Sequence, residues 1–270
     1  MIETAYNSHL GELAERQHEY GERVHIVGDT FSLSMLGRLC SPEATQPEFN
    51  RLVVSLYQHL FIRTVNVVFP TEVCAIDTRM KELDEAGTFN GRVLKRDTQL
   101  VVVDVARAGI LPGQVCYDLA NTLLDPSLVR QDHLVMARTT NEAGEVTGAD
   151  ILAEKVGGPV DGRWLVFPDP MGATGGSLAA AIDHYRSQYG QPERVVVLCL
   201  MITPQFLETF RERHPDVEVF ALRLDRGRSS AAALSSRLGA LRDQESGLTD
   251  IDYIVPGGGG FGELMNNSWV

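Results

Sequence analysis

The stretch Trp164-Leu-Val-Phe-Pro-Asp-Pro-Met-Gly-Ala-Thr-Gly-Gly-Ser177 narrows the possible folds of this chain more than any other. Trp164 to Phe167 is an apolar run that predicts a buried strand. Leu178, Ala179, Ala181, Ile182 and Tyr185 recur at helical spacing after it. Between them lies a loop of small residues. Thr174 and Ser177 suit a helix N-cap, and Gly175 and Gly176 let the backbone approach something bound there. Free N–H groups at a helix start form an anion site, with phosphate the usual guest. Asp169 falls at the strand's carboxyl end, where open α/β sheets place ligands. The local expectation is a phosphate cradle with a carboxylate beside it. A P-loop is excluded because the loop holds no lysine, and the glycines lack the spacing of a dinucleotide loop. On this stretch alone, a strand–turn–helix that binds nothing stays open.

The rest of the chain supplies a sheet around this unit. Val24-His-Ile-Val27 is a short strand candidate, and Phe31 to Cys40 and Pro47 to Val65 read as helices. Phe69 to Asp97 is polar and irregular, with a β-hairpin as one reading. Leu100 to Ala106 has the composition of a central strand. It runs into Arg107-Ala-Gly109, which is either a second anion pocket or a surface arginine before a helix. Leu111 to Leu124 is the crossover helix, and His133 to Ala137 a strand that ends at Arg138. Residues 139–158 read as a mobile loop. A strand (195–202), a helix (204–214) and a strand (217–224) follow, so a mostly parallel, doubly wound α/β sheet is expected. Ala231 to Leu241 reads as helical, and Tyr253-Ile-Val as a last strand before Gly257-Gly-Gly-Gly-Phe-Gly262. That glycine run fits a dinucleotide pattern, but too little chain follows for a βαβ unit. Its backbone is better suited to facing a flat ligand.

Composition bounds the partners. The 270 residues are 44% hydrophobic, enough for one large α/β core or two small domains. A net charge of −12 and the lack of a basic cluster disfavour nucleic acid as a partner. Cys40, Cys74, Cys116 and Cys199 are scattered, which favours a reducing compartment. Met1 to Tyr20 is polar, and the longest apolar run is far too short to span a bilayer. A soluble, cytoplasmic protein is expected, with residues 1–23 an amphipathic helical arm.

Asp169-Pro-Met-Gly-Ala-Thr-Gly-Gly-Ser177 resembles the phosphoribosyl-diphosphate (PRPP) signature of type I phosphoribosyltransferases. Among these it is most similar to the uracil phosphoribosyltransferases. Val24–Val27, Ala106–Gly109, Met136–Arg138, His214–Val217 and Tyr253–Gly257 extend the resemblance in the same order. Residues 1–23 and roughly 226–249 are additions to the usual length. The resemblance implies a phosphoribosyltransferase domain over 24–270, with a small hood formed by the C-terminal segment. It implies that Arg107 and Arg138 hold the pyrophosphate of PRPP. The 5′-phosphate would lie on Ala173, Thr174, Gly175, Gly176 and Ser177, with Pro170, Met171 and Gly172 in the same loop, and Asp169 would face the ribose. Ile254, Gly259, Gly260 and Phe261, within a base-binding loop over 253–263, would read the base. Mg²⁺ would arrive with PRPP and take no direct protein ligand. A non-proline cis peptide is expected at Arg107, and a homodimer or higher homo-oligomer for the whole protein.

The departures concentrate in the base loop. The family's substrate-contacting acidic residue falls on Gly260, and its small alanine on Phe261, whose ring is free to stack on a base or fill the pocket. Gly172 replaces a bulkier apolar residue, Gln114 stands near the place of an aspartate, and Ala137 replaces a tyrosine. Three functions therefore stay open at this stage: phosphoribosyl transfer to uracil, transfer to another heterocyclic base, or non-catalytic sensing of PRPP or a nucleotide.

Overall fold

The structure, a computed structural model, describes residues 15–140 and 146–269, apart from the side chains of 138–149. Strand β1 (Val24–Ile26) precedes helices α1 (Thr30–Leu39) and α2 (Glu48–Val68). A hairpin of β2 (Thr71–Asp77) and β3 (Thr88–Leu94) follows. The core unit then runs β4 (Leu100–Ala106), α3 (Ile110–Leu123), β5 (Val129–Thr140), β6 (Val146–Lys155), β7 (Trp164–Pro168), β8 (Met171–Gly172), α4 (Gly176–Gln188), β9 (Arg194–Ile202), α5 (Pro204–Arg213) and β10 (Glu218–Leu224). Two short helices, α6 (Ala231–Leu234) and α7 (Phe261–Asn266), close the chain. The main sheet has the order β1-β10-β9-β7-β4-β5-β6, with β8 paired to β9. Its pairs are parallel except the antiparallel β5–β6.

The order follows from which runs can be buried on both faces. In β4, Leu100 and Val102 join the layer of α2 and α3, while Val101, Val103 and Val105 join that of α4 and α5. A strand apolar on both sides needs helices over both faces, which right-handed parallel crossovers supply. Leu56, Leu60 and Phe61 of α2 cover one face, and Leu178, Ile182, Tyr185, Phe206 and Phe210 cover the other. Cys116 and Cys199 are buried as expected, and burial pushes both thiols well above their ordinary range. No described helix is long and apolar enough to cross a membrane.

Four expectations need correction. The loop assigned to 139–158 is largely strand: β5 continues to Thr140 and β6 returns along it, with residues 141–145 outside the described set. Thr139, Thr140, Val146, Thr147 and Ile151 favour extended backbone, and an edge strand tolerates the charges that made this segment read as a loop. The helix over 231–241 stops at Leu234. Arg226 Nη1 and Nη2 donate to the carbonyls of Ala233 and Ser236 at 2.8 and 2.9 Å, and Ser235 and Ser236 hydroxyls bond back to Ala231 and Ala233. These contacts take carbonyls that a longer helix would need. Tyr253 to Val255 forms no strand, only an isolated bridge from Ile254 to Leu248, because Pro256 has no N–H to continue a ladder.

The helical arm is not seen in its described part, residues 15–23, and residues 1–14 lie outside the described set. His18 instead pairs with Leu238, and Glu19 N–H donates to Leu238 O at 2.9 Å. Tyr20 hydroxyl donates to Glu245, which is buried and also accepts from Arg226 Nη1 at 2.8 Å. The two additions to the usual length therefore fold against each other, and the pairing to Leu238 takes backbone groups that a helix would have used internally.

His25 couples this edge to pH. Burial alone would lower its pKa, but the carboxylates of Glu15 and Glu218 outweigh burial and raise it to about 9. Its unfolded value is ~6.5, so the stabilisation is complete below that pH and is lost as pH rises through about 9. Denaturant midpoints should therefore fall between pH 6.5 and 9, by roughly 1–3 kcal/mol in stability. In His25→Gln this component of the slope should vanish.

Candidate active site

The carboxyl ends of β4 and β7 lie side by side and open onto a cleft of about 510 Å³. Its floor is the turn from β7 to α4. Asp169 Oδ1 accepts the Met171 N–H at 3.0 Å, which orients the carboxylate at the strand end. The loop carbonyls are tied down on the far side. Thr203 Oγ1 donates to Ala173 O at 2.6 Å, Thr209 Oγ1 to Thr174 O at 2.7 Å, and Thr203 N–H to Gly172 O at 3.1 Å. These bonds fix the carbonyl side of a loop whose residues 171–177 border the cleft.

Helix α4 starts at Gly176, with Gly175 as N-cap at φ +80°. That left-handed conformation explains the glycine. No side chain caps the helix, so Thr174 and Ser177 do not play the N-cap role expected of them; Thr174 Oγ1 accepts only a long 3.4 Å bond from Gly176 N–H. Apart from that long bond, the first turn of this 13-residue helix, which borders the cleft, has no side-chain cap for its N–H groups. An anion placed there would also meet the positive end of the helix dipole.

Gly172 has a packing cause. A Cβ on it would lie 2.7 Å from Ile202 Cγ2 and 2.9 Å from Phe206 Cδ2. Those two side chains fill the volume that a side chain at 172 would need. Gly172→Val should therefore cost about 1–3 kcal/mol through overpacking. Urea unfolding would show this, and Phe206→Leu should recover part of the loss.

The second wall follows β4. The Ala106–Arg107 peptide is cis, as the resemblance implies. Gly109 closes the turn, and a Cβ there would come within 2.8 Å of Val105 backbone atoms and 3.1 Å of Pro168 O. Arg107 lines the cleft with its guanidinium half-exposed. Nη2 pairs with Glu263 Oε1 at 3.1 Å, and Nη1 donates to Ser268 O at 3.2 Å and Ser268 Oγ at 3.3 Å.

The third wall is the C-terminal segment. Ile254, Gly259, Gly260 and Phe261 all border the cleft, facing Asp169 and Met171 to Ser177. The Phe261 ring, however, is 1% exposed and packs edge-on to Phe49 with centroids 5.1 Å apart. It anchors α7 in the core and presents no face for stacking. The loop hangs from β10. Buried Asp225 accepts Gly257 N–H at 2.8 Å and binds Arg223, whose Nη2 donates to Gly257 O at 3.1 Å.

Two predicted residues stand apart. Pro170 is buried and turns to β9, its carbonyl accepting the N–H groups of Leu200 and Met201 at 3.2 Å. Arg138 lies near the end of β5 opposite Ala149, and its side chain is outside the described residues. Glu263 and Ser268 were not anticipated as site residues. Helix α7 is too short for its sequence to mark Glu263 as one of them.

An uncapped helix start and an arginine loop at adjacent strand ends, roofed by a C-terminal hood, define a type I phosphoribosyltransferase, a pentosyl-transferring enzyme. The family model described as uracil phosphoribosyltransferase matches residues 32–244, and the chain belongs to that family. A uracil phosphoribosyltransferase of Dictyoglomus thermophilum is 28% identical over 244 residues, covering 90% of this chain and 98% of its own. One of Paracoccus denitrificans is 32% identical over 195 residues, covering 70% and 72%. A solved Aquifex aeolicus protein shares the fold, with a TM-score of 0.67 at 18% identity over 92% of this chain and 99% of its own.

Proposed function

We propose that this enzyme transfers phosphoribose from PRPP to uracil, forming UMP and pyrophosphate. The observation that carries the reading is the uncapped start of α4 facing Arg107 across a cleft closed by the base loop. The 5′-phosphate sits on the N–H groups of 174–177, and Asp169 faces the ribose hydroxyls. Arg107, with Arg138, neutralises the pyrophosphate as it leaves C1′. The sugar becomes oxocarbenium-like at that point, so positioning and charge stabilisation account for most of the rate. The base lies against the backbone of Ile254, Gly259 and Gly260, where N–H and C=O groups recognise a flat heterocycle.

Among the described residues no cluster of three His, Cys, Asp or Glu side chains could hold a metal by itself. A cation that enters on the oxygens of PRPP needs no direct protein ligand there, with the Asp169 carboxylate beside it at the tip of β7. Mg²⁺ bound in that way supplies charge neutralisation on the diphosphate. The cytoplasmic location expected from the cysteines belongs to the same reading. A homodimer is supported by the exposed Val73, Ile76, Met80 and Phe89 of the β2–β3 hairpin and its turn. Light scattering at micromolar concentration checks it.

The test of the reaction is PRPP consumption with Mg²⁺ against a panel of free bases. Turnover with uracil is expected. Turnover with another base alone would move the substrate and keep the chemistry, which Gly260 makes worth testing. PRPP binding without turnover would replace the enzyme with a sensor.

A further inference from the structure

Residues 16–17 and 236–238, from the two segments that fold against each other, border a second cavity of about 330 Å³. It shares no lining residue with the cleft. Its volume lies in the range of small-molecule pockets. Ile26, Leu222 and Leu224, at the carboxyl ends of β1 and β10, line it together with Leu33 and Leu238. Its charged lining residues are Arg16, Arg223 and Arg237, with no carboxylate among them. Arg16 is held in place before any ligand arrives. Its backbone N–H donates to Ile26 O at 2.8 Å and its Nε to Gly28 O at 2.9 Å. Gly28 has φ +47°, and a Cβ there would come within 2.7 Å of Arg16 Cγ, so the glycine makes room for the arginine stem. Arg16 Nη1 and Nη2 keep no hydrogen-bond partner among the described residues. Arg237 Nη1 has Glu19 Oε1 at 3.9 Å, a half-exposed pair that contributes little. Arg223 is engaged elsewhere, by Asp225 and by the Gly257 carbonyl at the hinge of the base loop.

We propose that this cavity binds a small organic anion, a phosphate or carboxylate joined to an apolar body, and that the base loop responds to its occupancy. The anionic head lies between Arg16 and Arg237, whose planar guanidinium forks suit phosphate and carboxylate oxygens. The body lies on the leucine and isoleucine side chains, where it gives up apolar surface to the protein. An arginine that is already ordered keeps the entropic cost of binding low. The site stands without the phosphoribosyltransferase reading of the cleft. The response of the base loop rests on that reading. It runs through Arg223, which lines this cavity and donates from Nη2 to Gly257 O at 3.1 Å.

Calorimetry with phenyl phosphate and with benzoate tests the site and separates the two kinds of head group, with inorganic phosphate as the head alone. At least one of the aromatic anions should bind at millimolar concentration, and inorganic phosphate about tenfold more weakly. Arg16→Gln and Arg237→Gln should each weaken the aromatic anion about tenfold, the size expected for one hydrogen bond to a charged group. Binding at the start of α4 is common to all the variants, so the site is read as the component that the double variant loses. Arg237→Gln holds no other element in place and keeps the test open should Arg16→Gln disturb the fold. No heat from either aromatic anion, a double variant that binds as the wild type does, or inorganic phosphate binding equally well overturns the site. With the aromatic anion bound, the KM for the base that the panel identifies should change at least twofold, and the change should be absent in Arg237→Gln. Binding without that change overturns the response of the base loop and leaves the site. A protein that turns over no base overturns the transferase reading and the response with it, while the calorimetry still decides the site.

Discussion

Arg107→Ala should lower kcat/KM for PRPP by about 10²–10³ and leave the fold intact. The magnitude is that of removing one preorganised donor from developing negative charge, about 2.7–4 kcal/mol. The intact fold follows from what the guanidinium touches. Its partners are the partly exposed Glu263 on the cleft wall and the Ser268 carbonyl and hydroxyl, none of them buried in the core. Water can replace it there at small cost, as for other exposed ion pairs. Steady-state kinetics over a wide PRPP range and a thermal melt decide the matter together. A variant that melts far below the wild type would make Arg107 a structural residue. One that melts normally and keeps its PRPP requirement would remove it from the site. Arg107→Lys should recover only part of the loss, because a point charge cannot replace a planar fork on a diphosphate.

Much of this was legible from local sequence because it is enforced locally. The buried strands β4 and β7 and the helix α4 announce themselves as apolar runs and a helical stripe, and β4 has the bounds that its composition predicts. The turn that opens α4 was readable because its conformation depends on Gly175 itself. What was not legible depends on distant partners. Gly172 makes sense only beside Ile202 and Phe206, and Gly260 only beside the Glu263 carboxylate. Helix α7 is too short to display a periodicity, so neither Glu263 nor the anchoring of Phe261 against Phe49 could be inferred. The β5–β6 hairpin was hidden by polar residues that an edge strand accepts. The contact between the N-terminal residues and 226–249 joins segments that no local pattern links, through Leu238 and the Glu245 carboxylate. These cases share one cause: side chains from separate elements settle which volume is left.

Asp225→Ala should be the most destabilising single change near the site, costing about 3–5 kcal/mol in denaturant unfolding. Its side chain is fully buried at the end of β10, where one carboxylate accepts from the Arg223 guanidinium and from Gly257 N–H. Burial by itself would lower the Arg223 pKa, but Asp225 outweighs it and raises it. Removing the carboxylate strands a mostly buried guanidinium and frees the backbone of Gly257 on both sides, since Arg223 also holds its carbonyl. Asp225→Asn is the sharper probe. An amide still accepts from Gly257 N–H but no longer balances the arginine, so part of the stability should return while the loop stays loosely held. Because Gly257 leads into Gly259 and Gly260, slack at this hinge should appear as a raised KM for the base with PRPP binding by the α4 loop unchanged. On the proposed reading the two substrates are held by different elements, the base by a loop hung from β10 and the sugar phosphate by the start of α4. If both affinities fell together in Asp225→Asn, the base loop would have to be coupled to the phosphate cradle through the sheet, and the separation of the two half-sites would be wrong.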